Sequence, residues 1–241
     1  MRIGVTERGD GGISLDIVLY ELKFKSLDFA IIMTKNPTLL IERNLPENTI
    51  IHCTITGHGG TKIEPNVISS EKAIAAYNVL IDKYGGERVV LRIDPVFPFN
   101  EYVNIAKNIL KFRRGRVRIS FLDAYEHSKR RLKEIGITIP YNFHAPIELR
   151  KRILDEFKTS GEIEVCGEPG LECAGCVSIR DIRAVKLEEK VLDNSNRQRL
   201  PCKCLSEKFE LLQNKCRCYH KCAYCYWKDE EIPQKTLDNI N

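Results

Sequence analysis

Phe29-Ala30-Ile31-Ile32-Met33-Thr34-Lys35-Asn36-Pro37 decides the reading of the fold. A continuous apolar run of this length, cut off by Lys-Asn-Pro, suits a strand buried on both faces rather than one with a wet side. Thr49-Ile50-Ile51-His52-Cys53-Thr54-Ile55-Thr56 repeats the pattern and runs into Gly57-His58-Gly59-Gly60. Further strands are expected at residues 2–7, at 88–93 (leading to Asp94-Pro95), at 116–122 (closed by Asp123) and at 162–166. Between them the period lengthens. Leu15, Val18, Leu19 and Leu22 recur at helical spacing behind Ser14, and Ala73, Ala76, Val79 and Leu80 do so behind Ser69-Ser70. Helical patterns also cover 100–112, 125–135 and 146–157. Six strand–helix units in residues 1–166 predict an α/β domain, a partial TIM-like (β/α)6 barrel. An open doubly wound sheet is the alternative, since closure leaves no mark on a sequence. Residues 167–241 lose the periodicity and read as a cysteine-rich, metal-binding cap, with one weak strand or helix at 178–191.

With 241 residues, 43% hydrophobic and 29% charged, the chain has the composition of a soluble globular protein. No apolar run approaches the roughly 18–20 residues that span a bilayer, and residues 1–5 enter a strand without a signal-peptide apolar segment. The expectation is a cytoplasmic protein with no membrane partner. A net charge of +5 permits an anionic partner, such as a nucleic acid or a phosphorylated metabolite, without requiring one. Lys111-Phe112-Arg113-Arg114-Gly115-Arg116-Val117-Arg118 reads as a solvated turn, with a nucleic-acid docking patch as the sharper alternative. The histidines have no partner pattern for a hydrolytic triad. His58, in its glycine-rich loop, is the one expected to reach substrate.

If the barrel reading holds, chemistry belongs at the C-terminal ends of the strands. Those ends carry Arg8, Lys35, Thr56, Arg92, Asp94, Ser120, Asp123, Cys166 and Glu168. Arg8, Lys35, His58, Asp123 and Glu168 are the candidates for substrate.

Nine of the ten cysteines fall at or after Cys166, and Cys53, inside an apolar strand, reads as packing. In a reducing compartment such clustering argues for metal ligation rather than disulfides. Cys218-Tyr219-His220-Lys221-Cys222-Ala223-Tyr224-Cys225 offers three thiols from one short loop. Three thiolates leave one iron of a cube open, whereas structural zinc wants a fourth ligand, for which His220 is the nearby candidate. A second set, Cys173, Cys176, Cys202 and Cys204, with Cys166 and Cys216 as spare candidates, suits zinc or a second iron–sulfur cluster.

The spacing C-x-x-x-C-x-x-C with an aromatic before its last cysteine resembles the cluster motif of radical S-adenosylmethionine (SAM) enzymes. With Thr34-Lys35-Asn36-Pro37, Arg92-Ile93-Asp94-Pro95 and the ending Tyr224-Cys225-Tyr226, the chain resembles the branch of that superfamily filed as a domain of unknown function, of the DUF1848 type, whose cluster motif is C-terminal. The resemblance implies a [4Fe–4S] cluster on Cys218, Cys222 and Cys225. It implies SAM as small-molecule cofactor, Tyr224 against its adenine, and an electron donor such as flavodoxin or ferredoxin. Thr56, Arg92 and Asp94 are then the groups expected to meet SAM: a hydroxyl, a cation for the carboxylate, and an acceptor for the amine or ribose.

Two departures stand against the superfamily pattern. The Gly-Gly-Glu expected after the second strand is missing there, and Gly85-Gly86-Glu87 reads instead as a helix C-cap turn. The motif closes the chain rather than following its first strand. One rival is a non-catalytic zinc or iron–sulfur module that binds nucleic acid. Another is a barrel enzyme whose cysteines are structural and whose acid–base groups are Asp94, Asp123 and Glu168.

Overall fold

The structure, a computed structural model, describes residues 1–187, 204, 208–212 and 218–226. Seven parallel strands form one sheet: β1 (Ile3–Val5), β2 (Phe29–Thr34), β3 (Thr49–Thr54), β4 (Val89–Val96), β5 (Val117–Phe121), β6 (Glu164–Val165) and β7 (Lys208–Glu210). Their spatial order is β6-β5-β4-β3-β2-β1-β7. Six strands follow one another without a reversal, so the sheet has no switch point of the kind a doubly wound fold requires. The sheet curls as a half-barrel whose two edges are β6 and β7.

Helices α1 (Leu15–Phe24), α2 (Ser70–Tyr84), α3 (Asn100–Leu110), α4 (Glu126–Glu134) and α5 (Ile147–Lys158) connect the strands, but not as regular strand–helix units. Only a 3-10 turn, Pro37–Leu40, joins β2 to β3, α4 and α5 both lie between β5 and β6, and α6 (Ile179–Ala184) follows β6. Local chemistry sets their ends. Ser69 Oγ accepts from Lys72 N–H at the start of α2, and Gly85, at φ +83°, ends it in the left-handed region. The Gly85-Gly86-Glu87 turn is therefore a helix stop, as its place before β4 implied. Among the described residues, no helix is long and apolar enough to cross a membrane.

Period-two alternation in β2 separates two cores. Ala30 and Ile32 pack with Val18, Leu80, Ile109 and Leu154 of the helices. Phe29, Ile31 and Met33 turn the other way, joining Ile3, Val5, Ile50 and Val90, and there Cys176, Val177 and Ile182 cover them. Each such side chain contributes roughly 1.5–3 kcal/mol on burial. This explains the unbroken apolar text, because both faces of the strand are dry.

Two expectations need correction. Strand β7 lies in the region read as a cysteine-rich cap, yet pairs parallel with β1 through Ile3, Gly4 and Val5. Its Lys-Phe-Glu text has no apolar run because a three-residue edge strand is held by ladder hydrogen bonds on one side. The basic stretch 111–118 is likewise not one surface. Arg116 and Arg118 are 2% and 0% exposed and point into an ionic cluster on the second face of the sheet. Only its earlier part is wet, where Arg113 donates to Ser160 O at 2.7 Å and Arg114 to Asp82 at 2.6 Å.

Candidate functional site

The cysteine loop, residues 218–226, docks where β1, β2 and β3 release their C-terminal loops. His220 Nε2 lies 2.6 Å from Asp10 Oδ2, and Nδ1 lies 3.4 Å from Asn66 O. Ala223 N–H donates to Ile63 O at 2.9 Å, and Asn66 Nδ2 donates to Tyr219 O at 2.7 Å. His127 of α4 meets Tyr226 O at 2.8 Å, and Arg131 of the same helix donates to Cys225 O. Cys222, Ala223 and Tyr224 sink into a small core with Ile63, Val67, Phe97, Leu122 and Leu132. Beside His220 opens a cleft of about 520 Å³, bordered by Ile13, Asn36, Asn66, Val67 and Tyr219.

Asp10 is the hub of this docking. Its Oδ1 accepts from Gly12 N–H at 2.9 Å, Ile13 N–H at 3.1 Å and Thr34 Oγ1 at 2.7 Å, while Oδ2 accepts from Lys35 N–H at 2.7 Å. A Cβ at position 12 would stand 2.6 Å from Thr34 Oγ1, which is why glycine sits there. Burial works to raise the Asp10 pKa, but the contacts with His220, Lys35 and Thr34 outweigh it and hold the carboxyl below its ordinary range. Both nitrogens of His220 are taken, so the imidazole is not available as a fourth ligand. The sulfurs of Cys218, Cys222 and Cys225 are not gathered within 4.8 Å of one another, so the loop does not form a ready single-ion site.

A second polar group lies beneath the loop. Lys35 Nζ binds Glu64 Oε1 at 2.7 Å, and Tyr224 OH donates to the same carboxylate. Burial opposes charge on both members, but their mutual attraction prevails: Lys35 is raised and Glu64 lowered. Thr56 also hydrogen-bonds Glu64. Burial pushes the Cys222 thiol up to about 12, with the Lys35 cation pulling the other way. Tyr224, the residue expected against adenine, is buried with its ring edge-on to Phe97 and under the Lys35 ammonium. The apolar pocket and the Glu64 acceptor hold it there.

Arg92 and Asp94 share one face of β4 and form an ion pair, with Ser120 Oγ donating to Asp94. Burial works against the Arg92 cation, but the Asp94 carboxylate outweighs it and holds the guanidinium charged. Lys35 and Tyr224 also feel the Asp94 charge. These two expected cofactor residues therefore lie between the cysteine loop and a second set of thiols.

That second set is Cys166, Cys176 and Cys204, whose sulfurs lie within 4.8 Å of one another in an arrangement able to hold a metal ion. Cys173, expected as a ligand, is replaced in the trio by Cys166. Its sulfur accepts from Glu168 N–H at 3.2 Å and donates to Glu168 O at 3.3 Å, which ties it to its own turn. Cys202 and Cys216 lie outside the described residues. Cys53 is fully buried among the helices, a packing residue.

Other expected contacts are spread more widely. His58 is buried, edge-on to Phe97 and Tyr102, and burial holds its pKa below the usual histidine range. Glu168 accepts from Phe121 N–H at 2.7 Å and Arg150 Nη1 at 2.8 Å. Burial pushes it up to about 7, with the two donors opposing. It braces β5 against α5 rather than opening to a ligand. Asp123 lies 2.8 Å from His144 Nδ1. Arg8 is exposed, and its N–H donates to Glu210 at 2.9 Å.

Sequence reasoning missed the ionic cluster on the face away from α1, α2, α3 and α5. Arg116 Nε donates to Glu164 Oε1 at 2.8 Å, and Arg116 Nη2 lies 2.9 Å from Asp181. Arg118 pairs with the same two carboxylates and donates to Cys176 O at 2.7 Å. His52 Nε2 lies 3.3 Å from Arg118 Nη1, and burial, followed by that cation, holds the imidazole neutral. The available signal was the alternation Arg116-Val117-Arg118-Ile119-Ser120 in β5, polar on one face only.

A comparison with curated proteins found no match, and a comparison with solved structures found none either. The family model described as "Domain of unknown function (DUF1848)" matches residues 14–227, from the start of α1 to just past the cysteine loop, and the chain belongs to that family.

Proposed function

We propose that the protein is a radical S-adenosylmethionine enzyme whose [4Fe–4S] cluster is held by Cys218, Cys222 and Cys225. One observation carries the reading: a three-thiol loop is docked over the C-terminal ends of parallel strands, with its only histidine already bound to Asp10 and Asn66. A donor set of three thiolates, with no fourth side chain from the loop, suits a cluster that keeps one iron for an exchangeable ligand. It suits structural zinc poorly. When bound, such a cluster supplies the electron that cleaves SAM to a 5′-deoxyadenosyl radical for hydrogen abstraction.

The chain's own residues bind and orient. Lys35, beside the Cys222 sulfur, offsets thiolate charge and is itself held by Glu64. Asp94, one-quarter exposed and braced by Ser120 and Arg92, is the carboxylate for the SAM amine or ribose. Arg92 offers the counter-charge for the SAM carboxylate. Phe97, Tyr102 and His58 form an apolar wall that excludes water. The finer fold that goes with this reading is a partial (β/α)6-type barrel with its mouth at the cysteine loop, working in the cytoplasm and taking its electron from a flavodoxin or ferredoxin. The substrate class favoured by the net positive charge is a nucleic acid or nucleotide. The rival, a nucleic-acid-binding metal module, is weakened because Arg116 and Arg118 are buried and cannot meet phosphate.

The test is iron and sulfide analysis of protein purified without oxygen, then dithionite reduction with SAM. About four or more irons per chain, with 5′-deoxyadenosine formed, is the expected result. Zinc alone, and no SAM cleavage after anaerobic reconstitution, sinks the reading.

A further inference from the structure

We propose that Cys166, Cys176 and Cys204 hold a single zinc ion that clasps the two open edges of the half-barrel. The proposal is independent of the radical reading, because it concerns different cysteines and a different metal.

The placement carries the argument. Cys166 directly follows β6, and Cys204 stands four residues before β7, so the trio joins material from the two edges of the sheet. A closed barrel would join its edge strands through backbone hydrogen bonds. Here three thiols from the two edges and the turn between them gather on one point instead. Cys176 arrives there through the turn at Gly175, which takes φ +81°. Cys176 N–H donates to the Cys204 sulfur at 3.1 Å, and Cys176 O is held by Arg118 at 2.7 Å.

The spacing selects the metal. Zinc–sulfur bonds of about 2.3 Å in a tetrahedron put the sulfurs just under about 4 Å apart. A cube binds each thiolate on a different iron, and so holds them farther apart. The trio lies within 4.8 Å, with Cys176 and Cys204 at 3.0 Å. The bound of 4.8 Å fits one ion and is too tight for a cube, and the Cys176–Cys204 pair, closer than a tetrahedral edge, would part by roughly 1 Å around zinc. Glu7, whose Oε1 accepts from Cys176 at 3.1 Å, is the carboxylate at hand for the fourth position. Lys208 Nζ, 2.9 Å from Glu7 and 3.8 Å from the Cys176 sulfur, balances the surplus negative charge together with Arg92. Ile3, Val5, Phe29, Ile31 and Val90 lie beneath, and the buried Arg118, bonded to Cys176 O and paired with Glu164 and Asp181, adds a fixed cation beside the thiols.

The experiment measures zinc, iron and sulfide per chain in the reduced full-length protein and in Cys176→Ala, Cys204→Ala and Cys222→Ala. One zinc per chain is expected in the wild type and in Cys222→Ala, and none in Cys176→Ala or Cys204→Ala. Chelation of that zinc is expected to lower the denaturant midpoint. Zinc retained in Cys204→Ala overturns the ligand set. Iron and sulfide retained in Cys222→Ala but lost in Cys204→Ala overturn the metal, and a metal-free Cys176–Cys204 disulfide overturns both. An unchanged midpoint after zinc removal overturns the clasp. Should the alanine variants fail to fold, zinc-edge X-ray absorption on the wild type reads the same site. Three sulfur neighbours near about 2.3 Å support it, and a shell of nitrogen and oxygen refutes it.

Discussion

His220 and Asp10, 210 residues apart, meet at 2.6 Å in a pocket that leaves both side chains 4% exposed. The contact ties the cysteine loop to the loop after β1 and removes the histidine from metal chemistry. Replacing His220 with Ala should therefore leave the protein's metal content unchanged while costing about 1–3 kcal/mol, because a buried carboxylate loses a partner. Metal analysis beside urea unfolding checks this. Loss of all metal with little loss of stability would return His220 to the ligand set.

Lys35 and Glu64 form a buried pair beneath the loop. Lys35→Met should destabilise by about 3–5 kcal/mol, since it leaves Glu64 charged and without its cation. The double variant Lys35→Met, Glu64→Gln should recover much of that loss. A double-mutant cycle by chemical denaturation measures the coupling, and simple additivity would refute it.

Glu164 is held at about 2 against an ordinary 4.5: burial works to raise it, and Arg116 and Arg118 overcome that. A depressed carboxylate contributes stability that is complete above its unfolded pKa. That contribution fades as pH falls from about 4.5 through about 2, and amounts to about 3 kcal/mol at most. Urea midpoints between pH 6 and about pH 2.5 should fall for the wild type more steeply than for Glu164→Gln. Parallel curves would show that Glu164 does not govern the acid limb.

Cys53→Ala serves as a contrast to the ligand cysteines. The side chain is fully buried on the helix side of β3, so the variant should lose about 1 kcal/mol through a small cavity. Its metal content and any SAM cleavage should match the wild type. A loss of iron or zinc would mean that Cys53 reaches a centre.

The strands were legible because both their faces are dry, as at Phe29–Thr34, and a dry strand writes an unbroken apolar run. The cysteine loop was legible for a chemical reason, the spacing of Cys218, Cys222 and Cys225. Strand β7 was not, since a three-residue edge needs only backbone pairing and its side chains can be of any type. The trio was misread in part because C-x-x-C spacing joins Cys173 to Cys176, while the fold brings Cys166 across from the end of β6. Charges near one another in sequence also misled: Arg114, in the turn before β5, is wet, yet Arg116 and Arg118, where the strand begins, are dry. The point at which the turn gives way to the strand decided that, and only the sheet reveals it.

The contact between Asp10 and His220 also sets an order of events during synthesis. Asp10, Lys35 and Glu64 leave the ribosome long before residues 218–226 do. A chain that folds from its N-terminus as it emerges would complete most of the sheet, with this acid–base pocket waiting, before its three-thiol lid is translated. Under the proposed function, the cysteine loop then meets a pocket already built, and a chain stalled before residue 218 carries that pocket without its three thiols.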